Sequence, residues 1–138
     1  SRHKVIVFAH KSHPLAKRKS IRIEELEGAR MVLRESGSTT RRALEAALTR
    51  HGVTVNPVME IGSREAVWLA VARGIGIGVV SDIEFIKHPD LRTIEIENAD
   101  IHTTAHVNCL MERRDSRLVS AFFNVAAETR KLRQGDPA

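Results

Sequence analysis

The sequence predicts an α/β fold built on a parallel βαβαβ sheet with flanking helices. Two observations carry this expectation. Three short apolar runs, at residues 30–34 (RMVLR), 57–61 (PVMEI) and 75–80 (IGIGVV), are separated by two segments whose apolar residues recur at helical spacing. Short links join them, and parallel strands need helical crossovers of this kind. Their apolar residues are mostly consecutive rather than alternating, which fits strands covered on both faces.

Residues 4–9 (KVIVFA) read as a buried strand rich in β-branched residues. His13-Pro14 breaks regular structure, because a residue before proline is driven out of the helical region. Residues 23–26 read as one short helical turn, ended by Gly28. The strand at 30–34 leads into Gly37-Ser38-Thr39-Thr40, a flexible link followed by good N-cap hydroxyls. Ala43, Leu44, Ala47 and Leu48 mark one face of a helix that Gly52 stops. After the strand at 57–61, Gly62-Ser63 opens a second helix, with Ala66, Val67, Ala70 and Val71 on its face. Gly74 ends it ahead of the third strand. Residues 91–97 and 103–111 read as further strands. In the latter, Ala105, Val107, Cys109 and Met111 alternate with Thr104, His106, Asn108 and Leu110. Asp115 or Ser116 caps a final helix, where Leu118, Phe122, Val125, Thr129 and Leu132 form a mostly apolar stripe. The tail at 134–138 is expected to fray.

A chain of 138 residues suffices for one domain of modest size. Its 42% apolar and 28% charged residues are ordinary for a soluble globular protein. No apolar run approaches the roughly 18 residues of a membrane span. The run at 5–9 is too short for a signal peptide, and no small-residue cleavage site follows it. Cys109 is the single cysteine, so a reducing cytoplasm fits and a buried, inert thiol is expected. The net charge of +5 raises the question of nucleic acid. The basic residues are scattered, however, Tyr is absent, and no aromatic residues interleave with them. They read as solvated surface.

The turns after the strands at 30–34 and 57–61 are the places where chemistry concentrates. In a parallel sheet both lie at the carboxyl edge, where ligands of open α/β sheets bind. Both lead into helix starts, which carry unpaired N–H groups and partial positive charge. Ser38, Thr39 and Thr40 supply hydroxyls to one start, and Gly62-Ser63 opens the other. Together they suit a small anion. The plainer reading is that these hydroxyls only cap their own helices; the two are compatible, since a cap uses part of the donor set. Gly74, Gly76 and Gly78 lie at a helix end and in a strand rather than between strand and helix. They read as close packing, not as a nucleotide loop. His10 and His13, and His102 and His106, lack the partners that zinc requires. No metal site, cofactor motif or catalytic triad is read from the sequence.

Several stretches in order resemble the effector-binding domain of LysR-type transcriptional regulators. They are His13-Pro14-Leu15-Ala16, Leu33-Arg34-Glu35-Ser36-Gly37-Ser38-Thr39-Thr40-Arg41, Glu60-Ile61-Gly62-Ser63-Arg64-Glu65-Ala66-Val67 and Val71-Ala72-Arg73-Gly74-Ile75-Gly76-Ile77-Gly78-Val79-Val80. The tail Glu112-Arg113-Arg114-Asp115-Ser116 with its helix also fits. The resemblance implies a fold like one lobe of a type II periplasmic binding protein, with helix starts of the second lobe lining an effector cleft. Carried over, this lands on Ser38, Thr39, Thr40 and Ser63. It also implies that residues 7–10 cross between lobes, with His10 near the cleft. About 12–100 would be the second lobe, and about 1–11 and 101–133 the crossover and return segment of the first. The implied partners are a small anionic effector (an organic acid or oxyanion) and DNA through an N-terminal helix-turn-helix absent from this sequence; a homo-oligomer is expected separately, from the apolar stripe between Leu118 and Leu132. The chain is therefore expected to be truncated. A solute-binding lobe of a transport system is the alternative, and an enzyme is not expected.

Overall fold

The computed structural model describes residues 1–106 and 108–134, the last two as backbone only. Chain order is β1 (Arg2–His10), β2 (Ser20–Ile21), β3 (Arg30–Leu33), α1 (Thr39–Arg50), β4 (Asn56–Glu60), α2 (Arg64–Ala72), β5 (Gly78–Ser81), β6 (Leu91–Ile96), β7 (His102–Thr104) and α3 (Arg117–Gln134). Two compact units result, Arg2–Thr103 and Ser1 with the chain from Thr104 onward.

In the larger unit the predicted βαβαβ order is present. β3 and β4 pair in parallel, with a register shift between Met31 and Val32. The chain entering β5 joins β3 from its other side. Met31 and Ile77 form a parallel bridge, with Val32 N–H donating to the Ile77 carbonyl at 2.9 Å and Ile77 N–H to that of Arg30 at 2.8 Å. The sheet is nevertheless mixed rather than wholly parallel. β1 lies between β5 and β6 and runs antiparallel to both, while β2 adds to β6 in parallel. Crossover length specifies direction only for strands joined through helices, and β1 precedes the first of these. Proline at 14 also does more than interrupt: it opens a 3₁₀ turn, Pro14–Lys17, capped by His13.

The helices lie against two distinct apolar layers. Leu44, Ala47 and Leu48 of α1 pack with Val5, Val7, Ala9, Met31, Leu33, Ile77 and Val79. Val67, Ala70 and Val71 of α2 pack with Ile6, Phe8, Val32 and Val80. Alternate residues of β1 serve alternate layers, which is why its run is apolar throughout. Gly78 permits one close approach: a Cβ there would lie 2.5 Å from Phe8 Cζ and 3.0 Å from Val71 Cγ2. Gly74 follows α2 at φ +75°, a left-handed conformation that glycine adopts freely.

In the smaller unit the expected strand at 103–111 stops early. Ala105 exchanges backbone hydrogen bonds with Ser1, and among the described residues strand structure ends at Thr104. Met111 instead enters a 3₁₀ turn, and Val107 lies outside the described residues. Alternating sequence is not sufficient for a strand, which needs a neighbour for its backbone groups. Cys109, expected to be buried, is exposed on this extension. α3 starts as predicted at Ser116, whose Oγ accepts from Val119 N–H at 3.2 Å. It remains helical to Gln134, and the rest of the expected frayed tail lies outside the described residues. Leu118, Phe122, Val125 and Leu132 of its stripe are exposed.

Candidate functional site

At the carboxyl end of β3 and β5, the starts of α1 and α2 face a shared crevice. Its lining is Phe8, Arg34, Ser38, Thr40, Arg64, Val67, Trp68, Val79, Val80 and Glu84, around a cavity of about 20 Å³. Both helix starts are capped by serine. Ser38 Oγ accepts from Arg41 N–H and Ser63 Oγ from Ala66 N–H, each at 3.4 Å. The Ser38 and Ser63 carbonyls take the next N–H groups, those of Arg42 and Val67. No intrahelical acceptor exists for the N–H groups of Thr39, Thr40 or Arg64. The capping reading therefore holds, and part of each donor set remains aimed beyond the helix.

Arginines frame the crevice. Arg34 forms a two-pronged pair with Glu35, Nε to Oε2 at 3.0 Å and Nη2 to Oε1 at 2.8 Å. The Arg34 hydrogen bond is the main cause that holds the Glu35 carboxyl below its ordinary range. Arg64 Nη2 donates to Glu84 Oε1 at 2.9 Å. Behind them Arg41 ties the elements together. Its guanidinium donates to Glu60 Oε2 at 2.7 Å, to the Arg34 carbonyl at 2.6 Å and to Glu45 Oε1 at 2.8 Å. Hydrogen bonds to Glu60 and then Glu45 raise its already high pKa. The Glu65 carboxyl is lowered, first by its own backbone N–H and then by the Ser63 hydroxyl. One wall is aromatic: the Phe8 and Trp68 rings stack with centroids 4.5 Å apart, and Phe85 lies 5.0 Å from Trp68.

Of the residues singled out from sequence, Ser38 and Thr40 line the crevice. Thr39, Gly62 and Ser63 sit at the same helix starts but are exposed and outside its lining. His10 lies elsewhere. β1 pairs Phe8 with Gly78 and Val5 with Ser81, so His10 falls beyond the amino end of β5, at the opposite edge. There its Nδ1 is 2.7 Å from Ser12 Oγ. Arg34, Arg64, Glu84 and the aromatic pair Phe8 and Trp68 also line the crevice, and hydroxyls at helix starts do not foreshadow them. The available signal was position: Arg34 directly follows β3, and Arg64 is the first residue of α2.

A crevice between helix starts at the carboxyl edge of such a sheet is the architecture of periplasmic-binding-protein-like ligand-binding domains. The comparisons agree. The regulatory domain of CcmR from Synechocystis PCC6803, solved in complex with 2-PG, superposes with a TM-score of 0.71 at 28% identity, covering 90% of this chain and 61% of that one. The effector-binding domain of QuiR, in complex with shikimate, shares the fold with a TM-score of 0.68 at 17% identity, covering 74% and 49%. The HTH-type transcriptional activator CmpR of Synechocystis is 42% identical over 77 residues, 56% of this chain. A RuBisCO operon transcriptional regulator of Acidithiobacillus ferrooxidans is 44% identical over 77 residues, again 56% of this chain. The matched stretch makes up 25% of each of these two regulators. The family described as LysR substrate binding domain matches residues 1–131, and the chain belongs to it.

Proposed function

We propose that this domain senses a small anionic effector, an organic acid or oxyanion, in the crevice between the starts of α1 and α2. Occupancy would modulate transcription in the cytoplasm through a DNA-binding helix-turn-helix of the same regulator. The observation that carries the reading is the convergence of Arg34, Arg64, Ser38 and Thr40 on one cavity. Guanidinium forks match carboxylate and phosphate geometry, and the helix starts add N–H donors and favourable field. Thr39, Gly62 and Ser63 contribute backbone and capping rather than contact, and His10 has no part. Phe8 and Trp68 offer an apolar wall to the carbon part of an acid. The 2-PG complex of the CcmR regulatory domain supports an anion of this class. The cavity holds about one water, so side chains must move to admit a ligand. The reading is of binding rather than catalysis: both serine hydroxyls already serve as helix caps.

In this reading residues of about 12–100 form the second lobe of the sensor. About 1–11 and 101–133 form the crossover and return segment of the first lobe, and copies of the chain associate. The site is tested by calorimetry and thermal unfolding with 2-PG and inorganic phosphate. A bound anion at about 100 times its Kd adds about 2.7 kcal/mol of stability. Arg34→Gln and Arg64→Gln are each expected to weaken binding about tenfold or more, the scale of a hydrogen bond to a charged group. Unchanged affinity in both variants rejects the site.

A further inference from the structure

The crevice already contains an anion of its own. Glu84 lines it beside Arg64 and holds that guanidinium through a single contact, Nη2 to Oε1 at 2.9 Å. Arg64 is the first residue of α2, and Glu84 meets its guanidinium, the group to which an incoming anion would be attracted. The Arg34 pair is different: its partner Glu35 grips with both oxygens and stands outside the lining.

The segment that carries Glu84 is short, and Asp82 Oδ1 accepts from Ile83 N–H at 2.7 Å within it. It is a single 3₁₀ turn, Asp82–Glu84, directly after β5. Its closing hydrogen bond, Phe85 N–H to the Asp82 carbonyl, is 3.5 Å long, at the outer limit for such a bond. The residue that should cap it, Ser81, is 4% exposed, makes no side-chain cap bond, and its Oγ has no hydrogen-bond partner among the described residues. A buried hydroxyl without a partner is costly. Phe85, the next residue, rests against Phe8 and Trp68 at centroid distances of 5.9 and 5.0 Å. Movement of the turn therefore changes the aromatic wall of the same crevice.

We propose that Glu84 is a built-in competitor for the effector: its carboxylate occupies the anion position at Arg64, and an effector binds by displacing it. The inference rests on the anion-site reading above. An Arg side chain has a fork of donors and Glu84 engages one of its nitrogens, so a ligand offering two oxygens outbids it. Displacement releases the 82–84 turn together with Phe85, giving occupancy a conformational consequence. The competitor also sets a threshold, so that weak or singly bonding anions are excluded.

The test is titration of the chain with inorganic phosphate at low ionic strength, followed by calorimetry and by the fluorescence of Trp68, its single tryptophan. Glu84→Gln keeps the shape and removes the charge; it is expected to tighten phosphate binding about threefold to tenfold, the scale of a half-exposed ion pair plus relieved like-charge repulsion. Glu84→Ala moves in the same direction if competition is the cause. Asp82→Asn removes a charge from the same turn without touching Arg64, and is expected to change affinity less than about twofold. Equal or weaker binding by both Glu84 variants, or an equal gain in Asp82→Asn, overturns the competitor while leaving the anion site standing. No phosphate binding by the wild type or either Glu84 variant overturns the anion site and the competitor with it.

Discussion

His13 shows how one side chain is fixed by its neighbourhood. Its Nδ1 accepts from Leu15 N–H at 3.1 Å, capping the turn that Pro14 opens. Burial lowers its pKa below the ordinary value near 6.5. The unfolded chain then binds the proton more readily, so the contribution to stability is complete above about pH 6.5 and lost as pH falls through the lowered folded value. An NMR titration should place the His13 midpoint below that of a free histidine. The decline in urea midpoint from pH 7 to 5 should be shallower in His13→Gln, and an identical decline would remove the assignment. Gly78 is the contrasting case: there the missing side chain is the structural feature, because Phe8 and Val71 occupy its place. Its packing role could be read from position in the sequence, but the partners that demand it could not.

At the scale of elements, α1 and α2 were legible because capping and periodicity are local. Ser38 and Ser63 both cap as their hydroxyls imply, and Gly52 and Gly74 both follow their helices at positive φ. Ser38→Ala is expected to cost about 1 kcal/mol in denaturant unfolding through loss of the cap. It should also weaken phosphate binding, because Ser38 lines the crevice, whereas Thr39→Ala should cost less affinity, since that side chain lies outside the lining. Equal losses in the two variants would argue that only the helix end matters. The region 103–111 shows the limit of local reasoning. Its alternation is clear, but a strand forms only where another backbone meets it, and pairing is a property of two segments.

At the scale of the molecule, the stripe on α3 raises the question of assembly. Leu118 is 84% and Leu132 76% exposed, with Phe122 and Val125 between them. Apolar side chains aligned on one helix face favour burial against another surface. Light scattering after gel filtration is expected to show self-association that rises with concentration, and Phe122→Asp should reduce it. A monomer at all concentrations would reject the homo-oligomer. Among the described residues no helix is long and apolar enough to cross a membrane.

The sequence by itself determined the βαβαβ order, the helix limits and the carboxyl edge on which two capped helix starts meet. These follow from period, caps and crossover length, all of which are written in neighbouring residues. Only the tertiary structure decided that β1 enters the sheet antiparallel between β5 and β6, that His10 falls at the far edge, and that Arg34, Arg64 and Glu84 share the crevice with Ser38 and Thr40. Strand neighbours and converging side chains depend on contacts between segments tens of residues apart. Local propensity does not encode these contacts. They are selected by the burial of both apolar layers at once.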